Sequence, residues 1–251
     1  MATNCFENAE RLVSKAQPQP NILTFDIEDW FHLCGIEHLK DASKWRRMPS
    51  LVEPMTREIL DILDRFGARA TFFLLGWTAE RHPELVREIA RRGHELASHG
   101  YSHSLVYTST PSQFREDLKR SIDVVQRISG ERVRGYRAPS FSIRNGCEWA
   151  FEIIADLGFT YDASLFPTTR GQGGYRGIPD SNLYRLNLPS GARLFELPMS
   201  AVRFGRLRVP FTGGGYLRLF PASLITAFFR RLNSRRQPGI IYLHPRDLTP
   251  H

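Results

Sequence analysis

Short apolar runs alternate along this chain with segments whose apolar residues recur at helical spacing, and this alternation limits the folds open to it more than any other feature. Ile22-Leu23-Thr24-Phe25-Asp26-Ile27 reads as a buried strand, bounded by a proline turn before it and acids after it. Pro54 can open a helix carrying Met55, Ile59, Ile62, Leu63 and Phe66 at helical spacing, and Gly67 closes it. Ala70 to Leu75 is a second strand, Pro83 to Arg92 a second helix stopped by Gly93, and Glu95-Leu96-Ala97 a strand leading into His99. The same reading gives a helix over 112–128, a strand over 133–136, a helix over 148–157 and a strand over 159–161. Beyond Phe166 the sequence loosens into Gly- and Pro-rich stretches. A helix from Pro221 to about Asn233 and a last strand, Ile240 to Leu243, then close the pattern. Strands alternating with helices of this length predict an α/β fold with a parallel sheet covered by helices. Neither an internal repeat nor a second composition regime interrupts it. One domain is therefore expected over residues 21–251, preceded by a polar leader over 1–20.

Composition excludes several classes. Of 251 residues, 41% are hydrophobic and 24% charged, which suits a folded globular chain rather than a disordered one. No apolar run approaches the ~20 residues that span a bilayer. The N-terminal residues are polar and acidic where a signal peptide would be apolar, so a cytoplasmic setting is expected. Cys5, Cys34 and Cys147 are odd in number and lack CxxC spacing, which argues for isolated reduced thiols. The net charge of +8 would suit a polyanionic partner, but the arginines are scattered. The one dense group, Arg230, Arg231, Arg235 and Arg236, reads equally well as a solvated helix face. Nucleic acid is not an expected partner.

The residues with chemistry cluster beyond strand ends. His99-Gly100-Tyr101-Ser102-His103 places two imidazoles four residues apart, a spacing at which both can reach one metal ion. Such a pair also arises by chance in a chain with eight histidines. Asp26, Glu28 and Asp29 put three carboxylates at the end of a buried strand, and their repulsion calls for a cation, an arginine or a shared proton. Glu28 and Asp29 can equally face solvent and cap the next segment. Arg137, in Gly135-Tyr136-Arg137-Ala138-Pro139, can hold a carboxylate bidentately. Asp162 and His244 stand at two further strand ends. Each has an innocent reading; five such features at successive strand ends coincide much less readily.

With these motifs in this order, from Thr24 to Pro245, the chain resembles the polysaccharide deacetylase family, also called the NodB-homology domain or carbohydrate esterase family 4. The forms Asp26-Ile27-Glu28-Asp29-Trp30-Phe31 and Thr212-Gly213-Gly214-Gly215-Tyr216-Leu217-Arg218 look like the subgroup of bacterial exopolysaccharide loci linked to exosortase (PEP-CTERM) systems. The resemblance implies a distorted (β/α)7-8 barrel and removal of acetyl groups from N-acetylated sugars with a divalent metal, usually Zn2+. Carried onto this chain, Asp26 is the general base and His99 and His103 are metal ligands. Arg137 holds Asp26, His244 is the general acid, Asp162 its partner, and the backbone N–H of Ser140 an oxyanion donor.

The chemistry is coherent with those roles. Bound water needs a cation to bring its pKa from ~15.7 toward ~7, and the amide nitrogen needs a separate acid before it can leave. One departure matters: the family's strand-one motif has adjacent aspartates, whereas Ile27 follows Asp26. The third ligand is then Glu28, which shares a strand face with Asp26, or Asp29 if the strand has already turned. Trp30, Phe31 and Phe166 can stack on sugar rings or simply pack. His32 and His38 are not expected ligands, and His82, His94 and His251 look incidental. The partner expected is an N-acetylated carbohydrate, with peripheral contact to a lipid-linked form of it left open. Two other classes remain: a hydrolase of another amide bond, such as a cyclic ureide in the manner of allantoinases, and a noncatalytic carbohydrate-binding protein.

Overall fold

The computed structural model describes residues 5–12, 20–36, 39, 41–168, 171–180, 182–205 and 207–248. The expected strand–helix alternation is present through the first two thirds of the chain. In order, the elements there are β1 (Glu10–Leu12), β2 (Ile22–Ile27), α1 (Ala42–Trp45), α2 (Val52–Arg65), β3 (Thr71–Leu74), α3 (Gly76–Arg81), α4 (Pro83–Arg91), β4 (Glu95–Ser98), α5 (Pro111–Ser129), β5 (Gly135–Tyr136), α6 (Trp149–Asp156) and β6 (Tyr161–Asp162). The last third adds β7 (Leu183–Asn187), β8 (Arg193–Glu196), β9 (Ala201–Phe204), β10 (Leu207–Pro210), α7 (Gly214–Leu219), α8 (Ala222–Asn233) and β11 (Ile240–Leu243).

One nine-stranded sheet runs β1-β7-β8-β6-β5-β4-β3-β2-β11, parallel from β8 to β11 and antiparallel at the β1–β7–β8 edge; β9 and β10 form a separate hairpin. Side chains alternate faces as a strand requires. Phe25, Ile27, Phe72 and Leu74 join the large outer core under the helices. Phe73, Ala97, Ala163, Met199, Ile240 and Tyr242 instead meet in a second, inner cluster. That inner cluster draws on β3, β4, β11 and the segments after β6 and β8, so the sheet curls toward itself. Ser200 Oγ accepts the Ile240 N–H at 2.8 Å across the gap between β11 and the chain following β8. The fold is thus an α/β barrel of the expected kind whose hydrogen-bonded ladder stays open at β1 and β11.

Local chemistry sets the helix ends. Thr110 and Gln113 form a reciprocal capping box at the start of α5, and Gly130, at φ 74°, ends it in the left-handed region. Helix α2 begins at Val52, two residues before Pro54, because its first amides find a remote acceptor: Asp29 Oδ1 takes the N–H groups of Leu51 (2.8 Å) and Val52 (3.1 Å). Phe66, expected on the buried face, is 81% exposed at the helix end. The stretch read as a leader contributes β1, which pairs with β7; residues 1–4 and 13–19 lie outside the described residues, as do His38 and His251.

Candidate active site

Strands β2, β4 and β11 end at one mouth of the barrel, and a cleft of about 530 Å³ opens there. Asp26, Glu28, His99, His103, Ser140 and His244 all line it. Asp26 lies on the inner face of β2, paired in register with Phe73. Arg137, fully buried, donates from Nη1 to Asp26 Oδ1 at 2.7 Å and to Thr24 Oγ1 at 2.8 Å, with its guanidinium 4.0 Å above the Phe73 ring. Burial would raise the Asp26 pKa; the Arg137 charge, then His99 and His244, outweigh it and hold the carboxyl below its usual range. Asp26 is therefore an anion at neutral pH with one oxygen committed to Arg137.

Glu28, His99 and His103 bring one ligand atom each to within 4.8 Å of one another, all buried. His99 Nδ1 stands 2.8 Å from the Arg137 carbonyl. A carbonyl can only accept, so Nδ1 carries the proton and Nε2 is free to ligate. Burial pulls the His99 pKa down to about 4, which keeps the ring neutral. His103 Nε2 is in close contact with Glu28 Oε2, while its Nδ1 lies 3.3 Å from Cys34 Sγ. Burial opposes charge on His103, but Glu28 wins and lifts its pKa to about 10. Apart from the His103 contact, Glu28 Oε2 is buried and meets no hydrogen-bond donor among the described residues, as suits an oxygen that faces a cation. Two imidazoles and a carboxylate with open positions suit a catalytic divalent metal such as zinc.

Two of the residues considered for the site stand elsewhere in this geometry. Asp29 does not join the histidines: its carboxylate takes Ser50 Oγ–H at 2.6 Å and the two α2 amides, facing the helix start. Beyond Ile27 the chain leaves the strand, and Glu28 keeps the inner face. Asp162 does not partner His244. It accepts from Ser164 Oγ (2.6 Å) and Ser164 N–H (3.0 Å) and lies opposite Glu196 in the β6–β8 register. The partner of His244 is Asp247, whose Oδ2 lies 3.3 Å from Nδ1 and accepts the His244 amide at 2.9 Å. His244 Nε2 thereby points into the cleft, 3.9 Å from Asp26 Oδ2 and 3.6 Å from Glu28 Oε1.

Asp247 and Arg246 are the residues that motif reading misses, and a signal for the first existed. Pro245–Leu248 is a 3-10 turn, in which residues three apart stand one above the other. Arg246 donates to Glu28 Oε1 at 2.7 Å. The aromatics divide differently from the sugar-stacking option. Phe31 and Phe166 are 1% exposed and belong to the core, and only Trp30 keeps partial exposure. His32, also buried, accepts the Asp29 amide through Nδ1. The rim is strained where it meets the cleft: His103, Ser140 and Phe141 all have φ near +55°, an uncommon conformation that clusters at functional sites.

A model of the polysaccharide deacetylase family matches residues 17–161, more than half of the chain. The chain belongs to this family. Residues 163–251 match a second model, a domain of unknown function (DUF3473), so β11 and the His244 that follows it fall in that part. Among curated relatives, the peptidoglycan-N-acetylglucosamine deacetylase of Bacillus cereus is 35% identical over 98 residues, 39% of this chain and 36% of the relative. The peptidoglycan deacetylase of Helicobacter pylori is 31% identical over 107 residues, 43% and 36%. The chain thus spans about a third of the length of these relatives. Among solved structures, a Mycobacterium smegmatis protein assigned as a polysaccharide deacetylase superposes with a TM-score of 0.66 at 25% identity, covering 93% of this chain and 82% of that one.

Proposed function

We propose that this protein hydrolyses the N-acetyl group of an amino sugar, in a polysaccharide or its precursor, with a divalent cation held by Glu28, His99 and His103. The convergence of that three-residue cluster with Asp26 and His244 in one cleft carries the reading. Bound there, a divalent cation supplies the Lewis acidity that makes water a nucleophile near neutral pH. Asp26, through the oxygen not held by Arg137, accepts the proton of the attacking water. The backbone N–H of Ser140, a residue that lines the cleft, is the donor assigned to the developing oxyanion. His244, oriented by Asp247, delivers a proton to the nitrogen as the C–N bond breaks. The placement of Gly214, Gly215 and Arg218 on the cleft supports the narrower reading within the exopolysaccharide-locus subgroup, since they belong to the Thr212–Arg218 motif.

The test is metal analysis of the purified protein together with acetate release from a panel of N-acetylated oligosaccharides. A bound divalent metal with acetate release supports the reading. Absence of both, or turnover of a cyclic ureide alone, overturns it.

A further inference from the structure

A second cavity, of about 300 Å³, shares no lining residue with the catalytic cleft. Gln237, on its wall, stands before β11, and His244 follows that strand, so the two sites lie toward opposite ends of it. Five arginines line this cavity, Arg11, Arg203, Arg208, Arg231 and Arg235, against one acid, Asp180. Arg11 pairs with Asp180 at 3.2 Å. Among the described residues, the other four meet no carboxylate within ion-pair distance. Three of them donate to backbone carbonyls: Arg203 Nε to Gly205, Arg208 Nη2 to Pro179, and Arg231 Nη2 to Arg203. Burial, and then the neighbouring charge of Arg203, pull Arg208 below the usual arginine range. Like charges gathered round a concavity repel one another unless an anion joins them, and a guanidinium's planar fork matches phosphoryl oxygens.

The rim adds a different chemistry. Phe204 and Leu207 are cross-strand partners at the end of the β9–β10 hairpin, 45% and 63% exposed. Arg231 lies over the Phe204 ring at 5.0 Å, so this apolar pair abuts the arginines directly. A soluble anion has no use for such a rim; an amphiphile does.

We propose that this arginine-lined cavity binds the phosphoryl head group of an amphiphile, whose apolar part rests on Phe204 and Leu207. The inference stands apart from the deacetylase reading, because its residues touch none of the catalytic ones.

The full-length protein is titrated calorimetrically with inorganic pyrophosphate and co-sedimented with phosphatidylcholine vesicles, with and without phosphatidylglycerol. Wild type should bind pyrophosphate and sediment only with the anionic vesicles, less so as salt rises. Arg208→Gln combined with Arg235→Gln should weaken both interactions by about tenfold or more. Arg235→Glu, a single change at an exposed position, should do likewise with an unaltered melting curve. Phe204→Ser with Leu207→Ser should keep pyrophosphate binding and lose the vesicles. The proposal is overturned if wild type binds neither probe, if it binds pyrophosphate but ignores anionic vesicles, or if the folded Arg235→Glu protein behaves as wild type.

Discussion

Arg246 Nη1 donates to Glu28 Oε1 at 2.7 Å, joining residues 218 positions apart and leaving Oε2 of the same carboxylate to face His99 and His103. A glutamate has one more methylene than the aspartate usual at the family's ligand position, hence one more torsion to fix. Arg246 fixes it. Arg246→Ala should lower divalent-metal affinity by about 10- to 100-fold, the usual cost of losing a group that orients a ligand. Arg246→Lys should recover part of the loss. Competition against a chromogenic chelator measures both, and equal affinities in all three proteins would remove Arg246 from the site.

In the proposed mechanism Asp26 is the base and His99 a ligand, and two variants separate the roles. Asp26→Asn keeps an oxygen for the Arg137 hydrogen bond but cannot take a proton. It should retain metal while acetate release falls by about 10²- to 10⁴-fold. His99→Ala removes a donor and should lose metal and turnover together. Normal turnover by the Asp26→Asn protein would show that the proton goes elsewhere.

How much of this was legible in the sequence depends on the range of the interaction. The parallel sheet follows from periodicity, and Gly130 ends α5 where a left-handed residue is needed. The strand period of two favours Glu28 on the face of Asp26, and Glu28 does face the cleft although the strand ends at Ile27. Asp29 is different, because its acceptors' partners, Ser50, Leu51 and Val52, lie 21 to 23 residues away and no local pattern announces them. Strand β7 buries Tyr184 and Leu186 and turns Asn187 out, yet Gly- and Pro-rich sequence just before it hides so short a period. The arginines in and just after α8 read as one basic cluster, whereas the structure turns Arg231 and Arg235 toward the second cavity; only assembly with β9 and β10 reveals that.

The exchange of Asp162 for Asp247 as the partner of His244 is testable by comparing two variants. Asp247→Asn leaves the His244 imidazole without an anion at Nδ1, so acetate release should fall by about tenfold or more while metal stays bound. Arg218, paired with Asp247 at 3.1 Å, would lose its carboxylate as well, and the Arg218→Ala control separates the two contributions. Asp162→Asn should leave kcat much closer to wild type once folded protein is compared. The reverse ranking would restore Asp162 to the catalytic pair.

Asp162 and Glu196 instead give stability a pH-dependent component. Both are fully buried and adjacent across β6 and β8. Burial, followed for Glu196 by the Asp162 charge, pushes both carboxyl groups above their usual values of 3.8 and 4.5, Glu196 well above. One proton held between them is the arrangement that relieves this repulsion. A carboxyl whose folded pKa exceeds its unfolded one gives a stabilisation that is complete below the unfolded pKa and is lost as pH rises through the folded one. The wild-type protein should therefore lose stability on going from about pH 4.5 upward through this pair, whatever other groups contribute. Glu196→Gln removes the ionisation and keeps a donor for Asp162. Its Tm should exceed that of wild type at pH 8 by roughly 3 °C or more, each kcal/mol corresponding to about 2–4 °C for a chain of this length. The gain should shrink toward zero at acid pH. Thermal melts of the two proteins across that range decide it: a Glu196→Gln protein that is less stable than wild type at pH 8 would mean that the pair is held ionised by a cation or donor, not by a shared proton.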